Sequence, residues 1–103
     1  MTAEPRLCWQ KNPTLAWREI EGETAIISPE ESVLHELNET GSFIWRHVDG
    51  KRSVADIAAL LGVKYDVTRD EALADTEALL GQLASLKLLI PADEAKPKAV
   101  GGD

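Results

Sequence analysis

At Asn38 the chain changes from a strand period of two to a helical period of about 3.6, and this switch limits the possible folds more than any other feature. Upstream, Leu15 to Ile20 sets Leu15, Trp17 and Glu19 against Ala16, Arg18 and Ile20, as in a strand with one face partly buried. Glu21-Gly22 supplies a turn. Thr24-Ala25-Ile26-Ile27 is a second β-prone run, stopped by Ser28-Pro29-Glu30-Glu31 because proline cannot donate to a ladder. Ser32 to Leu37 is a third candidate strand, in which Leu34, His35 and Glu36 blur the alternation. The pattern predicts a hairpin extended to three short strands.

Downstream of the switch, Asn38 is a good N-cap, Glu39 suits the first turn with its unpaired N–H groups, and Gly50 can close the C-terminus, predicting a helix over about 39–48. Ser53 caps a second helix, whose Val54, Ile57, Ala58 and Leu61 fall at i, i+3, i+4 and i+7 before Gly62 ends it. Thr68 and Glu71 form a capping box that opens a third helix running to about Leu86. Lys87-Leu88-Leu89-Ile90 then continues apolar to Pro91.

Three strands followed by three helices, the last two joined by a short loop from Gly62 to Val67, place the chain in the α+β class. The order is that of a winged helix-turn-helix with its wing moved to the front. The flanks, 1–13 with Pro5 and Pro13 and the breaker-rich 91–103, are expected to be flexible, which leaves a domain at 14–90.

The third helix carries two apolar columns. Ala72, Thr76, Leu79, Leu83 and Leu86 form one, expected to face the core. Leu73, Leu80 and Ala84 form another, displaced around the helix, with Asp70, Asp75 and Glu77 toward solvent. The second column either packs on the domain's own strands, since apolar stripes wider than about 100° are common, or forms the wall of a groove. In the latter case an extended peptide can add to the third strand by backbone hydrogen bonds while its side chains enter the groove. Glu30, Glu31 and Glu36 would discourage self-pairing of that edge and tolerate a basic peptide.

Charge and composition narrow the function further. The 103 residues suffice for one domain, and a net charge of −7 disfavours nonspecific attraction to nucleic acid or anionic lipid. From Asp70 to Leu86 the third helix has no Lys or Arg, whereas a helix that reads DNA needs them. The remaining alternative to peptide binding, a winged-helix transcription regulator, therefore rests on architecture alone. His35 and His47 have no thiolate or paired carboxylate at metal-ligand spacing, so no metal is expected. No acid–base carboxylate pair, Gly-x-Ser-x-Gly elbow or glycine-rich phosphate loop occurs, so neither an enzyme nor a cofactor site is expected. Cys8 is the single cysteine, which suits a cytoplasmic setting, and no apolar run reaches the roughly 18 residues of a membrane span. Trp17 and Trp45 read as core residues, and Trp9 as an interface candidate.

The ordered fragments resemble the PqqD family, small peptide chaperones named for pyrroloquinoline quinone biosynthesis and related to the recognition domains of ribosomal-peptide modification systems. The resemblance runs from Trp17 to Ile90. It is carried by Leu37-Asn38-Glu39-Thr40-Gly41 with Ile44-Trp45, Val48-Asp49-Gly50 with Ser53-Val54 and Ile57-Ala58, Tyr65-Asp66-Val67, Glu71-Ala72 with Asp75, and Leu79-Leu80-x-x-Leu83 followed by Leu86-x-Leu88-Leu89. It implies a protein that holds the leader of a precursor peptide against its third strand and third helix and presents it to a modifying enzyme, often a radical S-adenosylmethionine enzyme. Carried onto this chain, the peptide site comprises Ser32, Val33, Leu34, His35, Glu36 and Leu37 with Asp70, Leu73, Glu77, Leu80 and Ala84. In this picture Asn38 caps the first helix and Gly41 permits close packing in its first turn.

Overall fold

The computed structural model describes residues 6–28 and 31–92. Strand β1 (Trp9–Lys11) is followed by β2 (Ala16–Ile20), β3 (Glu23–Ser28) and β4 (Val33–Leu37), then by α1 (Glu39–Arg46), α2 (Val54–Tyr65), α3 (Arg69–Ser85) and β5 (Leu89–Pro91). The class is α+β, as expected. β2, β3 and β4 form an antiparallel meander in the order β2-β3-β4, which leaves β4 at an edge. Glu21 and Gly22 turn β2 into β3 with φ of 53° and 85°, the left-handed pair that matches strand twist in a two-residue hairpin. One sheet face carries Ile26, Thr24 and Leu37, all buried, and the other carries Ala25, Ile27, Leu34 and Glu36.

The strand-to-helix switch is held by a short chain of hydrogen bonds. Asn38 Oδ1 accepts from the Gly41 amide at 2.8 Å, and Asn38 O accepts from the Ser42 amide at 2.8 Å. Thr24 Oγ1 and Ser42 Oγ lie 2.7 Å apart, and Ser42 Oγ donates to Leu37 O at 3.3 Å. These buried hydroxyls satisfy each other and tie β3, the end of β4 and α1 together. Gly41 is buried there, where an added Cβ would lie 3.3 Å from Leu37 Cβ and 3.6 Å from Leu79 Cδ2. The close packing expected of this glycine is against its own N-terminal neighbours, since the added Cβ would also lie 3.3 Å from Asn38 Oδ1, while Leu79 of α3 stands at ordinary contact distance.

Two expected helix ends are corrected. Gly62 lies inside α2, which continues to Tyr65 and closes on Asp66 in the left-handed region at φ 57°. The glycine faces the start of α3, where a Cβ would make ordinary contact with Val67 O at 3.4 Å and Ala72 Cβ at 3.7 Å. Likewise α1 stops at Arg46, and Gly50, at φ 80°, shapes the turn to α2. In that turn the Asp49 carboxylate accepts the Lys51 and Arg52 amides at 2.9 and 2.8 Å, and these bonds hold its pKa below the ordinary aspartate value. Ser53 and Asp56 form a reciprocal capping box, and Thr68 Oγ1 accepts the Glu71 amide at 3.1 Å.

The expectation of a flexible 1–13 is corrected over its second half. Trp9–Lys11 pairs antiparallel with Leu89–Pro91. The Gly50 amide donates to Trp9 O at 2.9 Å and the Val54 amide to Leu7 O at 3.0 Å, so this segment is stitched to β5 and to the α1–α2 turn. Trp9 is buried in the core, not at an interface. The upper boundary moves as well, since Pro91 belongs to β5 and Ala92 is buried; residues 1–5 and 93–103 lie outside the described residues.

Trp45 is fully buried, whereas Trp17, read from sequence as core, is 44% exposed and packs edge-on against it at 5.7 Å. Lys11 Nζ sits 5.2 and 5.3 Å from the two indole centroids and donates to Val48 O at 2.7 Å. Burial lowers the Lys11 pKa, and the charge of Asp49 partly opposes that. Replacing Trp9 with Ala is expected to cost about 3 kcal/mol, the lower end for an aromatic core deletion. Urea unfolding of the Trp9→Ala protein measures it, and unchanged stability would return β1 to the status of a loose flank.

Candidate peptide-binding groove

β4 is an edge strand, so one row of its backbone N–H and C=O groups has no ladder partner. Beside that row runs a groove of about 390 Å³ between β4 and the C-terminal half of α3. Leu34, His35, Glu36, Leu37, Asn38 and Gly41 line one wall, and Leu79, Gln82, Leu83 and Leu86 line the other. The floor is apolar: Leu37 and Leu83 are buried, Leu79 is partly buried, and Leu86 remains exposed at 40%, while Leu34, 55% exposed, borders the groove from the outer sheet face. Exposed leucines flanking an unpaired edge favour an extended chain that supplies both hydrogen bonds and side chains.

The strand residues expected at the site fall on β4 or just before it. Val33 to Leu37 form the strand, and Ser32 precedes it, exposed and left-handed at φ 56°. His35 is partly buried, and its Nε2 is enclosed without a hydrogen-bond partner among the described residues.

The α3 residues expected at the site differ from those that line this groove. Leu80, expected in the groove, is fully buried, and the buried line of α3 is Ala72, Thr76, Leu80 and Leu83. Leu73 and Ala84 pack against the core from the flank beyond Leu80, and Asp70, Glu77 and these two residues are absent from the groove lining. At about 100° per residue, Leu79, Gln82 and Leu86 lie on the opposite flank. The expected core column thus keeps Ala72, Thr76 and Leu83 and gains Leu80, while Leu79 and Leu86 leave it for the groove. α2 packs against α3, with Gly62 near Ala72, so that Leu80 lies on the buried side of α3 and Leu79 and Leu86 line the groove beside β4. Gln82 was missed by sequence reasoning. Its only signal was its position one turn before Leu86 on the flank that had been assigned to the core.

A family model described as coenzyme PQQ synthesis protein D matches residues 23–89. The chain belongs to the PqqD family. Compared by sequence alone with characterised proteins, it matches none. Two solved structures share the fold. TbiB1 in complex with the TbiA(beta) leader peptide is 19% identical over 91% of this chain and 99% of its own, with a TM-score of 0.72. A lasso peptide synthetase B1 complexed with the leader peptide is 23% identical over 81% of this chain and 98% of its own, with a TM-score of 0.73.

Within the PqqD fold, the two faces of α3 should separate in experiment. Leu80→Ala is expected to lose about 3 kcal/mol of folding stability, as for a core leucine, while Leu86→Ala should lose less than about 0.5 kcal/mol. Parallel urea titrations decide this, and equal losses would contradict the assignment of the two flanks.

Proposed function

We propose that this protein is a non-catalytic peptide chaperone that holds the leader of a ribosomally made precursor peptide in the β4–α3 groove and presents it to a modifying enzyme. The open edge of β4 beside a groove with leucines on both walls carries this reading, because it offers the backbone row and the side-chain pocket that strand addition requires. Membership of the PqqD family supports it, as do two structural neighbours whose descriptions name a leader peptide as the bound partner. The modifying enzyme is a partner of the radical S-adenosylmethionine class or of another peptide-modifying class, in pyrroloquinoline quinone synthesis or a related pathway, acting in the cytoplasm. Among the described residues no helix is long and apolar enough to cross a membrane, and no group of His, Cys, Asp and Glu could hold a metal ion.

Nothing favours the transcription-regulator alternative. α3 presents Asp70, Glu71, Asp75 and Glu77 without a basic residue after Arg69, and the chain carries a net charge of −7.

Titrating the isotope-labelled protein with the leader segment of a precursor encoded beside its gene should shift the amides of Val33–Leu37 and of Leu79–Leu86. Leu79→Ala and Leu86→Ala should each weaken binding by about tenfold, the effect of one leucine side chain desolvated on binding, while Leu73→Ala should leave affinity unchanged. Spectra unmoved at high peptide excess would overturn the proposal.

A further inference from the structure

The groove describes only the inward side of an added strand. Successive side chains of an extended peptide point to opposite faces, so every second residue would lie on the outer sheet face, beside Leu34 and Glu36. That outer face is laid out in rows by the register of the meander. Ala16, Ile27 and Leu34 form an apolar row across three strands, and Arg18, Ala25 and Glu36 form the next. Within the second row Arg18 and Glu36 are separated by Ala25, two strand spacings of about 4.8 Å each, where solvent screening leaves little attraction between exposed charges. Among the described residues Glu36 makes no salt bridge, and the surface depression it shares with Ile20, Glu21, Glu23, Thr24 and Ala25 contains no Lys or Arg. A strand added at β4 would bring its outward side chain within one spacing, about 5 Å between Cβ atoms, and would complete the row with the missing cation.

We infer that the outer face of β4 is a second specificity element, in which Glu36 selects a peptide with Lys or Arg at the outward position opposite it, and Leu34 selects an apolar residue at the neighbouring outward position. The inference rests on the strand-addition reading of the groove and names the class of segment held there: apolar on its inward side, with an apolar and a basic residue on its outward side. The edge itself explains the economy of the device. A carboxylate on an open edge repels the same edge of a second copy, where the two Glu36 side chains would meet, and attracts a strand of opposite charge.

The test uses the full chain and fluorescein-labelled peptides with a short core between Gly-Ser flanks, in which Leu fills the inward positions and one outward position and the next outward position is Lys, Thr or Glu. Anisotropy titrations at low salt should rank Lys above Thr above Glu, with Lys about fivefold tighter than Glu, the effect of exchanging an attractive for a repulsive cross-strand pair. Glu36→Gln should reduce that ratio below about twofold, Glu36→Lys should invert it, and added salt should shrink it. Glu71→Gln makes the same change in net charge at the far end of α3 and should leave the ratio as in the parent protein. Equal binding of the Lys and Glu peptides, or a ratio that follows Glu71→Gln as closely as Glu36→Gln, would overturn this inference while leaving the groove reading intact. If no member of the panel binds and the β4 amides do not shift, the groove reading falls and this inference falls with it.

Discussion

The junction at which β4 becomes α1 is the constraint from which the rest of the domain follows. Asn38 ends the ladder and starts the helix with one side-chain oxygen, while Ser42 and Thr24 pass a buried hydroxyl chain from β3 to the last carbonyl of β4. Buried polar groups in such a chain are costly if any one of them loses its partner, so the junction admits one geometry. That geometry sets the direction of α1 and seats Gly41 against Leu37 and Asn38, with Leu79 of α3 in contact beyond it.

The groove is the space this arrangement leaves. β4 is paired with β3 on one side, and on the other it faces a helix whose core contacts lie elsewhere, with α2 packed closely against α3 near Gly62 and Ala72. An open edge beside exposed leucines would ordinarily invite aggregation. Here the edge is short, with Glu31 before it and Glu36 within it, so the features that make it receptive to a peptide also limit its affinity for itself.

Much of the architecture could be read along the chain because it depends on local chemistry. The strand alternation, the caps at Asn38, Ser53 and Thr68, and the turn at Glu21-Gly22 are decided by residues within four positions of one another. The readings that failed involve partners distant in sequence. Trp9–Lys11 has too few residues to show a period, and it becomes a strand because Leu89–Pro91 arrives beside it. Gly62 carries the ordinary mark of a helix end, yet α2 continues past it to Tyr65 and packs along α3. Trp17 reads as a core residue by size, yet β2 lies at the other edge of the sheet and leaves it half exposed.

The candidate site divides along the same line. The strand wall, Val33 to Leu37, was legible from the residues and their position before the helical switch, and so was the presence of two apolar columns on α3. Which column faces the core was not legible, because Leu79 and Leu80 are neighbours of equal hydrophobicity and the period alone assigns neither inward. The choice depends on rotation about the helix axis, and that rotation belongs to the packing of α3 against α2 and the sheet, contacts between elements that no local pattern encodes. The sequence thus determined that a strand and an acidic, doubly apolar helix would be present, and the tertiary packing decided which leucines were left to line the groove between them.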